Sequence, residues 1–85
     1  MTFRRWLKEN YAESNCPTGE LYQAMKLEDE MRRKYPKQYP QFALWKSNYK
    51  WLRRYLIELG APKSRRQALL NAWREYKRDV KEGFA

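Results

Sequence analysis

The chain has 85 residues and carries a formal net charge of +9, from 19 Lys and Arg against 10 Asp and Glu. It is 42% hydrophobic and 34% charged, which excludes a disordered tail. A chain this short buries about 64% of its unfolded surface, enough for one core but not for an enclosed cofactor.

Four Trp, seven Tyr and three Phe supply large rings for that core. Cys16 is the only cysteine, so no intrachain disulfide is expected. No segment is apolar for long enough to span a membrane, and the start, Met1 to Leu7, is too polar for a signal peptide. The cytoplasm is therefore the expected compartment.

Pro and Gly divide the chain into four helical stretches. The first is predicted from Phe3 to about Ala12, capped by Thr2, with Phe3, Trp6, Leu7 and Tyr11 on one face. Glu13 to Pro17 reads as a loop, because Ser and Asn compete for backbone hydrogen bonds and Pro17 restricts its predecessor. The second is predicted from near Thr18 to about Lys34, with Leu21, Met25, either Leu27 or Glu28, and Met31 at helical spacing. Glu20 in its first turn and Arg32, Arg33 and Lys34 in its last suit the helix dipole.

Two prolines keep Tyr35 to Pro40 out of a helix. The third helix is predicted from Phe42 to Leu59, because Phe42, Trp45, Tyr49, Leu52, Leu56 and Leu59 repeat at helical spacing. Gly60 then offers a left-handed cap and Pro62 a stop. The fourth opens at Ser64-Arg65-Arg66-Gln67, a capping-box pattern, and buries Leu69, Trp73, Tyr76 and Val80 before Gly83. No alternating β-branched run suggests a sheet. The expected fold is all-α, a compact single-domain bundle of four, at most five, helices.

Catalytic chemistry is hard to assemble from these residues. With no histidine, the commonest general base, the usual nucleophile triads and most zinc sites are missing. Three glycines form no phosphate-binding loop. Neighbours in Glu28-Asp29-Glu30 diverge around a helix, and Glu75, Asp79 and Glu82 read as a solvated acidic stripe beside Arg74, Arg78 and Lys81. The reading is a binding protein with no enzyme activity, metal or cofactor.

The positive charge points to a polyanion. Lys46, Lys50 and Arg53 form a row on the third helix, with Arg54 adjacent. Lys63, Arg65 and Arg66 flank the start of the fourth. A glycine turn followed by a helix opening with arginines resembles a helix-turn-helix, in which Arg65, Arg66 and Gln67 would meet base edges. Lys50, Arg53, Arg54 and Lys63 would then contact phosphates. Nucleic acid, DNA ahead of RNA, is the first partner considered. The alternatives are an acidic protein surface met by a small adaptor or inhibitor of the kind mobile elements encode, and self-association through an exposed Trp51 or Tyr55. A membrane partner is disfavoured, because the cations are spread over several elements.

The order of residues also resembles the YozE-like family. Phe3 with Trp6-Leu7 matches its start, Pro17 its second helix with Leu21, and Asp29 or Glu30 before Tyr35-Pro36 its Asp and Phe-Pro turn. Tyr55-Leu56 matches a Tyr-Leu pair, and Ala72-Trp73 with Tyr76 an Ala-Trp-x-x-Tyr close. The chain departs from that pattern in the basic, Pro-containing stretch after Tyr35-Pro36 and in its strong net charge. The resemblance implies a sterile-alpha-motif-like (SAM-like) bundle. Such bundles mostly mediate protein association, and some bind nucleic acid. It implies no catalytic residues.

Overall fold

A computed structural model describes residues 2–83, with side chains described through Val80. Among these residues there are four helices and no strand: α1 (Phe3–Tyr11), α2 (Pro17–Lys34), α3 (Tyr49–Glu58) and α4 (Lys63–Gly83).

Each boundary has a local cause. Thr2 caps α1, its hydroxyl accepting from the Arg5 N–H at 3.2 Å. Pro17 opens α2 at a position where its missing N–H costs nothing. Gly19, in the first turn of α2, lies against the chain leaving α1. A Cβ there would collide with the Ser14 carbonyl and come within 3.0 Å of the Tyr11 oxygen. The α3–α4 turn is a Schellman motif: Gly60 has φ +73°, its N–H bonds to the Ile57 oxygen, and the Ala61 N–H bonds to the Leu56 oxygen, both at 3.0 Å.

The mutual packing of α1, α2 and α4 builds the core, and α3 folds back onto α4. Phe3, Leu7, Leu21, Leu52, Leu56 and Leu69 are almost wholly buried. Around Phe3 the rings of Trp6, Trp73 and Tyr76 lie with centroids 4.7–6.0 Å away, a spacing that adds to their area burial. α4 joins both halves: its start meets the end of α3, while Trp73 contacts Tyr49 at 5.7 Å.

Two expected boundaries differ. The third helix begins at Tyr49, not Phe42. Asn48 takes the Trp51 N–H at 3.0 Å and so starts the helix there. The preceding donors are claimed by other elements: the Ala43 N–H reaches the Tyr55 hydroxyl at 3.4 Å, and the Trp45 N–H reaches Asp29 at 2.8 Å. Phe42 and Trp45 still pack against aromatic neighbours, but from a loop. Phe42 stacks on Tyr39 and Trp45 tilts against Tyr22. Lys46 therefore lies in the loop, not on the helical row.

The fourth helix begins at Lys63, one residue before the expected cap. The Pro62 carbonyl receives the Arg65 and Arg66 N–H groups at 3.0 and 3.3 Å. Ser64 thus lies inside the first turn, and Gln67 donates forward to Asn71 at 3.0 Å instead of closing a capping box.

Candidate functional site

The acidic residues explain how the surface charge arises. Asp29 on α2 is 1% exposed. It accepts from the Trp45 N–H at 2.8 Å, Arg33 Nε at 2.9 Å and Arg4 at 3.5 Å. Burial pushes its carboxyl up, but these donors more than offset that and hold it below the usual carboxylate range. Its neighbour Glu28 accepts from the Tyr55 hydroxyl at 2.9 Å. There burial prevails over Tyr55 and Arg65, and the carboxyl is pushed up. The same burial and the Glu28 contact push the Tyr55 phenol up.

On α4, Glu75 accepts from the Tyr11 hydroxyl at 2.7 Å, and Asp79 accepts from Trp6 Nε1 at 2.9 Å. The Tyr11 phenol is pushed up to about 12, first by its bond to Glu75 and then by burial. The expected solvated stripe is thus corrected: Glu75 and Asp79 turn toward α1, because two part-buried aromatic donors require acceptors there. The side chains of Lys81 and Glu82, assigned to the same helix faces, lie outside the described ones. Tyr55, one of two aromatics considered for self-association, is also corrected. It is buried, and Trp51 stacks on it at 5.2 Å.

Glu28, Asp29, Glu75 and Asp79 are engaged in these contacts, while Glu9, Glu13, Glu20, Glu30 and Glu58 stay exposed among the cations. Between Met31 and Arg74 the sequence holds twelve Lys and Arg and a single acid, Glu58. Lys50, Arg53 and Arg54 are exposed on α3 and, at helical spacing, share its outward face with Ile57. Arg54 pairs with Glu58 at 3.5 Å, but both side chains are mostly exposed, so the pair is weak. Lys46 joins them from the loop, its ammonium 5.8 Å from the Trp51 ring centre. The structure therefore brings together Lys46, Lys50, Arg53 and Arg54.

The residues proposed for the α4 start are placed differently. Lys63 and Gln67 are exposed, but Arg65 and Arg66 are half-buried. Arg65 lies beside Glu28, and Arg66 Nε is enclosed without a hydrogen bond. Arg65 also lines a hollow with Pro17 and Glu20 at the start of α2. At the start of α4, Arg65 and Arg66 are thus partly packed against the body of the molecule, while Lys63, Ser64 and Gln67 stay exposed.

Sequence reasoning missed one feature. An open groove of about 410 Å³ runs between the 40–43 segment and α3, lined by Gln41, Phe42, Trp51, Arg54 and Glu58 among others. It exists because residues 42–48 are loop and not helix, which no periodicity signalled. A larger hollow of about 550 Å³ beside α1 is lined by Thr2, Arg4, Arg5, Lys8 and Glu9, with no aromatic wall among the described residues. Among the described residues no group of His, Cys, Asp or Glu could hold a metal, and no helix is long and apolar enough to cross a membrane. The chain matches no protein-family model, no curated protein and no solved structure.

Proposed function

We propose that this chain is a non-enzymatic, cytoplasmic binding module that contacts nucleic acid, DNA ahead of RNA, through the outward face of α3. One observation carries the reading: Lys50, Arg53 and Arg54 share one exposed helical face with Lys46 beside it, and Glu58 is the only acid in that region of sequence. A cluster of exposed cations with one weakly paired acid attracts phosphates and releases the counterions around them. The four-helix order is what supports a SAM-like, YozE-like assignment of the fold.

Within this reading the roles divide by placement. Lys46, Lys50, Arg53 and Arg54 contact phosphates, with Lys63 and Gln67 at the margin. Arg65 and Arg66, half-buried at the α4 start, contribute field more than direct base contacts.

The test is a fluorescence-anisotropy titration with a labelled duplex and a labelled single strand at about 50 mM salt. The reading predicts micromolar or tighter binding. Joint Lys50→Glu and Arg53→Glu substitution should weaken it by at least about tenfold, because two attractive contacts become repulsive. Absence of binding by the wild type would overturn the reading and turn attention to an acidic protein partner.

A further inference from the structure

We propose that the groove between the 40–43 segment and α3 takes one unpaired nucleobase, its ring against Phe42 and Trp51 and its flanking phosphates on Arg54 and Lys50. This rests on the nucleic-acid reading above and adds to it the form of the strand: single, or locally opened.

Four observations support it. The groove, at about 410 Å³, falls in the range of small-ligand sites, about 300–1,000 Å³. Its aromatic walls are held in place. Phe42 is backed by Tyr39 at 5.4 Å, nearly parallel, and Trp51 by Tyr55 at 5.2 Å with planes 10° apart. A base stacking on rings already held loses little side-chain entropy.

The loop that forms the groove is itself tied down. Residues 35–48 contain no helix or strand, and loops of that length in compact domains are usually functional. Two hydrogen bonds anchor it, from Ala43 to Tyr55 and from Trp45 to Asp29. Finally, the polar groups of the groove suit a nucleotide. Arg54 lines it, and Lys50 is exposed one turn earlier on the same helix. Glu58, the lone acid among the twelve cations, lines it too. A carboxylate accepts from the amino or imino N–H of a base edge, and Gln41 can donate or accept beside it.

A paired base offers neither its faces nor its Watson–Crick edge, since neighbours in the stack and the opposite strand cover them. Aromatic grooves with cationic rims accordingly select single strands. The charge of Arg54 argues against an apolar peptide as the occupant.

The experiment compares a mixed-sequence single-stranded 12-mer with its duplex at equal salt, using wild type and Phe42→Ala. The expected result is tighter binding of the single strand. Phe42→Ala should weaken single-strand affinity by at least about fivefold, leaving its salt slope and the duplex affinity unchanged. A ribo-oligonucleotide of the same sequence shows whether DNA or RNA supplies the base better. In parallel, a bromouracil-substituted strand is photocrosslinked to the wild-type protein, which needs no variant to fold. Cross-links at Phe42 or Trp51 are expected. Equal affinity for strand and duplex with no effect of Phe42→Ala, or cross-links only at other residues, would overturn the groove while leaving the nucleic-acid reading standing. A wild type that binds neither oligonucleotide overturns both.

Discussion

Glu28 and Asp29 are adjacent acids on one helix with opposite electrostatic outcomes. Asp29 receives a backbone N–H and two guanidinium groups, and Glu28 receives one phenol in a half-buried setting. Asp29 is thus held below the usual carboxylate range and Glu28 above it. A depressed folded pKa contributes stability above the unfolded value, about 3.9 for Asp, and that contribution is lost as pH falls through the folded value. An elevated one acts the other way: its contribution is complete below the unfolded value, about 4.3 for Glu, and is lost as pH rises through the folded value.

Two outcomes are therefore predicted from urea unfolding. Asp29→Asn should lower stability at pH 7 by about 2 kcal/mol, since a charged acceptor loses its charge while its guanidinium partners are partly exposed. It should also flatten the loss of stability seen on acidification below about pH 5. Glu28→Gln keeps an acceptor for Tyr55 and removes the buried charge, so its midpoint at pH 7 should equal or exceed that of wild type. A large loss there would contradict the account.

At the scale of elements, α3 is the informative one. It is short, it packs on α4, and its start depends on one cap. Asn48→Ala should cost about 1 kcal/mol in thermal or urea unfolding. Gly60→Ala places a side chain at φ +73° and should cost about 1 kcal/mol despite open space around it.

The same element shows how far the sequence could be read. Thr2, Pro17, Gly60 and the Leu52–Leu56 spacing are local signals, and the local structure followed them. The start of α3 did not follow, although Ser47-Asn48 is a recognisable cap, because Phe42 and Trp45 continued the helical period by coincidence. What holds them in the loop is Asp29 on α2 and Tyr55 on α3, partners distant in sequence with no periodic signature. Likewise, the cations of α3 were legible from spacing alone. The inward turn of Glu75 and Asp79, the half-burial of Arg65 and Arg66, and the groove all depend on tertiary contacts.

Across the whole molecule the arrangement is a partition of charge. Aromatic and backbone donors inside the bundle need acceptors, and Glu28, Asp29, Glu75 and Asp79 supply them. The chain has 19 Lys and Arg against 10 Asp and Glu, and Lys50, Arg53 and Arg54 of that excess are exposed on α3. The fold presents a cationic face on α3, and that face is the central claim.

The most direct test is the salt dependence of duplex binding, measured for wild type and for joint Lys50→Ala and Arg53→Ala between about 50 and 200 mM salt. If both residues neutralise phosphates, the slope of log K against log salt should become shallower by about 1.8, from about 0.9 for each lost contact. A slope that does not change would contradict the account, because it would mean that the outward face of α3 is not where the phosphates bind.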